Sequence, residues 1–254
     1  MDNMAAVPVT AALILVGVFY VVRWLRARRV SPIPGWRTVV FLGGLFALWL
    51  AAASPLARLD EELLTAHMAQ HLLLMTVGPA FMLLGLPGRR RPLNPVFCWF
   101  AATAVLVGWH IPAVFALGLD SEAWHHIEQG TFLIAGFLFW WPVIPSGRCG
   151  TQPQWSTVIY LFLGTLPCDA LSAFLVFCGR VVYPGYMNVP RHFALSAIQD
   201  QECAGALMWT CVTIAYLVPA VLVTVTLLSP GGDSGLRDTS RSPVTEEKGW
   251  LRGS

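Results

Sequence analysis

Long apolar runs divided by short polar connections set the pattern of this chain. A helix that crosses a bilayer needs roughly 20 apolar residues. Seven stretches meet that length: about 5–25, 36–54, 63–85, 95–117, 123–144, 155–178 and 201–228. The first run is too long for a signal-peptide core and no small-residue cleavage site follows it, so it is expected to stay as a helix. The pattern predicts an all-α polytopic membrane protein, with seven transmembrane helices in one domain over 1–228. The remainder, 229–254, is rich in Gly, Ser, Pro and charge, a composition that predicts a disordered tail.

The third run breaks the apolar pattern. His67 to Pro87 reads HMAQHLLLMTVGPAFMLLGLP, almost wholly apolar, with His67 and His71 near its start. Positions i and i+4 lie on one helix face, and Met75 extends that face by a turn. Ionisable groups inside a lipid-length helix are costly, and a functional site is their default reading. The competing reading is two histidines that hydrogen-bond neighbouring helices.

Composition agrees with the pattern. Hydrophobic residues make up 56%, charged residues 12%, and mean hydropathy is +0.63. Soluble domains carry about twice that charged fraction. No basic soluble domain or nucleic-acid motif is present, so nucleic acid is not an expected partner and the lipid bilayer is. The net charge of +2 matters less than its distribution. Thirteen of the sixteen Lys and Arg residues fall in the first, third and fifth connections, their flanks and the tail; Arg58, Arg180 and Arg191 fall on the other side. Basic residues collect on the cytoplasmic side. The N-terminus is therefore expected outside and the tail in the cytoplasm.

That topology gathers ligand-type residues in the outer half of the bundle. At a rise of about 1.5 Å per residue, His71, His110, Asp169 and Met208 lie roughly 10–13 Å below the outer surface, with His67, His125, His126 and Cys203 shallower. His110 precedes Pro112 by two residues, so it is either a ligand or a partner for backbone loosened by the proline. His125 and His126 point about 100° apart on a helix, so one of them is expected to face inward. Glu128, one turn from His125, is placed to orient it. Asp169, beside Cys168, is either a metal-transfer or proton-balancing group or a structural hydrogen-bonding group. Asp200 and Glu202 sit in a first helical turn, where capping alone explains them. Cys203, Met75 and Met208 are soft donors suited to Cu(I), although cysteines and a methionine stripe are also ordinary packing. Cys178 and Cys203 are both shallow enough for a disulfide on the outer side.

Several motifs in order now identify a resemblance. They are His67-Met68-x-x-His71-Leu-Leu-Leu-Met75 with Gly78-Pro79 and Gly85-x-Pro87; Trp109-His110-x-Pro112; Phe139-Trp140-Trp141-Pro142; Tyr183-Pro184-x-Tyr186; and Asp200-Gln201-x-x-Ala204-Gly205-x-x-Met208-Trp209. Over roughly residues 40 to 228 the chain resembles the seven-span CtaG family of cytochrome c oxidase assembly proteins. That family's fifth helix carries a histidine, an acid and a second histidine, whereas here Glu128 is followed by Gln129. The resemblance implies a protein of the bacterial cytoplasmic (inner) membrane that matures a haem–copper oxidase. Its implied partners are oxidase subunits or a periplasmic copper donor. On this reading copper is the metal, held by His67, His71 and His110 with His125 or His126. Met75, Met208 and Cys203 would accept it in transit, and binding and handover would replace catalysis. Two alternatives stay open: a haem redox protein ligated by His71 and His110, and an intramembrane zinc hydrolase using Asp169 or Glu128.

Overall fold

The computed structural model describes residues 3–28, 34–54, 56–87, 90–144, 154–187, 189 and 195–229. All regular structure among them is helical. In order it comprises α1 (Asn3–Arg28), α2 (Gly35–Ala52), the short α3 (Leu56–Leu59), α4 (Leu64–Leu72), a π segment (Leu73–Val77) and α5 (Gly78–Gly85). Then come α6 (Pro95–Trp109), α7 (Pro112–Asp120), α8 (Glu122–Trp140), α9 (Trp155–Phe177), a 3-10 turn (Pro184–Met187) and α10 (Ala197–Leu228). The expected disordered tail lies outside the described residues apart from Ser229, as do His192, Arg89, Arg148 and Arg191.

Five of the described helices are long and apolar enough to cross a membrane, or six if the bent pair α6–α7 counts as one. The expected fifth run forms α8, but its first two turns carry Glu122, His125, His126 and Glu128. The expected fourth run divides at His110–Ile111. Pro112 starts α7 without an N–H to continue the ladder, and the two pieces bend by 73°.

The centre of the bundle is the rod α4–π–α5, flanked by α2, α8 and α10; α6 lies against α8, α9 against α10, and α1 against α2 at the periphery. The π segment has a local cause. Pro79 lacks the N–H that would reach the Met75 carbonyl, and its ring crowds that carbonyl. The ladder widens here, and the Gly78 N–H reaches back to Leu73 O. Gly136 of α8 packs directly on the Met75 backbone, where an added Cβ would overlap the Met75 carbonyl oxygen. Phe132, Met68, Leu161 and Leu175 form the fully buried core, and Phe100, Phe162, Phe177 and Leu222 face outward. An apolar exterior of this kind suits lipid, whose core offers no water to backbone polar groups.

Candidate metal centre

The histidine helix is seated by a residue far away in sequence. Its N-cap, Leu63, has no side chain able to satisfy the first N–H groups. Asp200 of α10 does so instead. Its carboxylate accepts from the N–H of Leu64 at 2.8 Å, the N–H of Thr65 at 3.1 Å and the Thr65 hydroxyl at 2.7 Å. A buried anion at a helix N-terminus is favoured by both hydrogen bonding and the helix dipole. Gln70 donates its amide to Ala51 O at 2.9 Å and fixes the rotation of α4 against α2. His67, Met68 and His71 consequently face the bundle interior.

Three further elements close on that face. On α8, His125 and Glu128 lie one turn apart and are buried, whereas His126 is exposed. At the end of α6, His110 is held by the Tyr183 hydroxyl, which donates to its carbonyl at 3.0 Å. After α3, Asp60 is held by Tyr186, whose hydroxyl donates to the Asp60 carbonyl at 2.6 Å. Burial, together with the neighbouring carboxylates, raises the Tyr186 pKa well above its ordinary value, so this donor keeps its proton.

The side chains meet in a compact set. His67 Nε2 and His71 Nε2 each lie 3.4 Å from Glu128 Oε1. The other oxygen, Oε2, is 3.8 Å from His125 Nδ1, and His125 Nε2 is 3.1 Å from Asp60 Oδ2. Two interlocked triads result, His67–His71–Glu128 and Asp60–His67–His125, each with its donor atoms within 4.8 Å of one another. The His67 ring centroid is 4.3 Å from that of His71 and 6.0 Å from that of His125. Asp60, His67 and Glu128 are each 1% exposed. Apart from these mutual contacts, the side-chain N and O atoms of Asp60, His67, His71 and Glu128 have no hydrogen-bond partner. A buried polar atom left unsatisfied costs about 1–3 kcal/mol. Eight such atoms in one place form a site that a cation would satisfy.

His110 stands at the edge of this set, its ring centroid 6.4 Å from that of His71. Its Nδ1 lies 2.7 Å from Leu106 O. A carbonyl only accepts, so in the neutral ring Nδ1 carries the hydrogen and Nε2 the lone pair. Nε2 has no partner. This is the tautomer arrangement that metal-ligating histidines use. His125 differs, because its Nε2 lies 2.7 Å from Gln129 Nε2 as well as 3.1 Å from Asp60 Oδ2. An imidazole nitrogen has one lone pair, so a hydrogen bond accepted from the Gln129 amide and a bond to a metal ion exclude each other there.

Two cavities reach the set from opposite sides. One, of about 360 Å³, is lined by Asp60, Glu61, His67, Asp120, Glu122 and His125, and is acidic. The other, of about 30 Å³, lies deeper in the bundle and is lined by His71, Met75, His110, Cys168 and Met208 among apolar neighbours.

The structure thus brings together His67, His71 and His125, with His110 adjoining, and sets Met75 and Met208 on the deeper cavity. It does not bring His126, Cys203 or Asp169 to the set. His126 and Cys203 are exposed, and Asp169 is half-buried on α9. Cys178 and Cys203 are free thiols, and Cys178 Sγ is within 3.3 Å of the Gln201 amide nitrogen. Cys168, not Cys203, is the thiol beside the methionines. Asp60 is not among the residues the sequence points to, and Glu128 is expected there to orient His125 or to act as the acid of a zinc hydrolase, not as a member of the copper set. The pairing of His125 and Glu128 at i, i+3 was a readable signal for the latter. Asp200 does not supply the expected cap of its own helix, which Ser196 and Gln199 close in a capping box; its carboxylate caps α4 instead.

The model of the family described as cytochrome c oxidase caa3 assembly factor matches residues 18–229. Similar proteins include an uncharacterized protein of Mycobacterium leprae, 23% identical over 252 residues that cover 86% of this chain and 38% of that protein. Another is an uncharacterized protein of Mycobacterium bovis, 23% identical over 248 residues that cover 84% of this chain and 37% of that protein. This chain therefore spans less than two-fifths of the length of these relatives. No solved structure matches it. With the match running from α1 to the end of α10, the chain belongs to the family of cytochrome c oxidase caa3 assembly factors.

Proposed function

We propose that this assembly factor works by binding copper in the His67–His71–Glu128 and Asp60–His67–His125 set and handing it to an oxidase subunit. The observation that carries the reading is the group of eight buried side-chain N and O atoms on four residues that satisfy no hydrogen bond outside the set. Imidazole and carboxylate are competent ligands for Cu(II) and Zn(II), and thioether and thiol for Cu(I). The deeper cavity, with Met75, Met208 and Cys168 beside His71 and His110, supplies the soft donors. Size favours an ion over haem there, because organic-ligand pockets run to about 300–1,000 Å³ and this cavity holds about 30 Å³. On the seven-span topology with the N-terminus outside, the acidic cavity opens to the periplasm, and copper reaches the site from a periplasmic donor.

The test is metal analysis of the purified full chain. Copper should copurify or load stoichiometrically, and the double substitution His67→Ala, His71→Ala should lose it. Unchanged copper in that variant would remove these two residues from the site. A wild-type chain that takes up no copper would remove the handover reading altogether and leave a scaffold for oxidase subunits.

A further inference from the structure

We infer that the two triads are alternate positions for a single ion, an outer one that exchanges with the acidic cavity and an inner one that retains the ion. The inference rests on the metal-handling reading above and goes beyond it in giving the ion a route and an order of ligands. His67 belongs to both triads, Asp60–His67–His125 and His67–His71–Glu128. A neutral imidazole carries one lone pair, so His67 serves one ion at a time and the triads exclude each other. They also face different ways. Asp60, His67 and His125 all line the acidic cavity, which neither His71 nor Glu128 lines. His71 lines the deeper cavity instead, and that cavity touches none of Asp60, His67 and His125. His67 stands between the two approaches, its ring centroid 4.3 Å from that of His71 and 6.0 Å from that of His125.

Each triad offers one carboxylate and two imidazoles, so an ion meets the same donor types and the same formal charge at both positions. Passage inward exchanges Asp60 and His125 for Glu128 and His71, with no change of oxidation state. His67 is the ligand common to the start and the end. Gln129 makes the two positions unequal. At the outer position the ion has to displace the Gln129 amide nitrogen, which lies 2.7 Å from His125 Nε2. At the inner position the ring nitrogens of His67 and His71 and both Glu128 oxygens carry no hydrogen bond for an ion to break. The inner position therefore holds the ion more firmly, and the vacated outer position closes when Gln129 returns to His125.

The experiment loads the full chain in detergent with excess Cu(II), removes loose metal, measures copper per chain by elemental analysis, and follows the rate at which a chelator extracts it. The wild-type chain should hold one copper ion. Asp60→Asn keeps the Tyr186 contact to the residue 60 carbonyl and weakens the outer position. It should still hold one ion, with loading and extraction both slowed about tenfold, the scale on which a disturbed metal contact acts, because the inner ion has lost its way out. His71→Ala should hold one ion and release it about tenfold faster. Extraction from Asp60→Asn as fast as from wild type, or faster, would make Asp60 no part of an exit route; it would overturn the two-position inference and leave the metal-handling reading intact. Two copper ions per wild-type chain would do the same. No copper in the wild-type chain would overturn both. His125→Asn carries the same expected slowing and decides the matter if Asp60→Asn fails to fold.

Discussion

Single residues carry most of the site's discrimination. The His67, His71 pair was readable because i and i+4 share a face on any helix. The choice between His125 and His126 was not, because neighbours on a helix point about 100° apart and only packing decides which turns inward. Asp60 was hidden for a different reason: it lies in a turn, and spacing along a turn says nothing about which helix its side chain meets. Two substitutions test this scale. Gly118→Ala puts a methyl against Glu128 Oε2 while leaving every donor in place. It should weaken copper retention roughly tenfold, on the scale seen for disturbed ligand-orienting contacts, measured by competition with a chelator. Asp200→Ala strands the Leu64 and Thr65 N–H groups, while the Thr65 hydroxyl keeps the Asp200 carbonyl as its acceptor. It should cost about 2 kcal/mol or more of stability, seen as a lower unfolding midpoint in detergent, with Asp200→Asn falling between it and wild type.

The helices were largely legible as elements because lipid-length apolar runs are a strong signal. Their internal breaks were less so. Gly78-Pro79 in the third run marks the site of the π segment, yet a proline alone does not say whether a helix will kink, break or widen. Here packing decides, since α8 meets the rod backbone at Gly136. Gly136→Ala should destabilise the bundle by about 1–3 kcal/mol through overpacking. Gly130, on the same helix with nothing within 4 Å of an added Cβ, is the control. Gly130→Ala should be neutral or stabilising by up to about 1 kcal/mol, the ordinary gain of alanine over glycine in a helix. Equal losses at both positions would mean that the close approach of α8 to the Met75 backbone contributes nothing.

At the scale of the whole molecule, topology and cellular role come together. A reporter joined after residue 254 should behave as cytoplasmic and one inserted between Arg58 and Asp60 as periplasmic; the reverse at both points would place the acidic cavity on the wrong side for a periplasmic donor. Deletion of the gene should lower haem–copper oxidase activity while copper-free terminal oxidases persist, and added copper should partly restore it. Full, copper-loaded oxidase in the deletion strain at limiting copper would refute the delivery role. The link between Asp200 and the start of α4 adds a constraint in time. It joins residues 136 positions apart, the histidine helix to α10. At about 5–20 residues per second, α4 waits on the order of ten seconds for its cap. Until α10 has been made, the histidine helix lacks this contact. On the copper-binding reading proposed above, the site takes its final geometry only after α10 has joined the bundle. A chain stopped at residue 195 should reach the membrane and hold no copper.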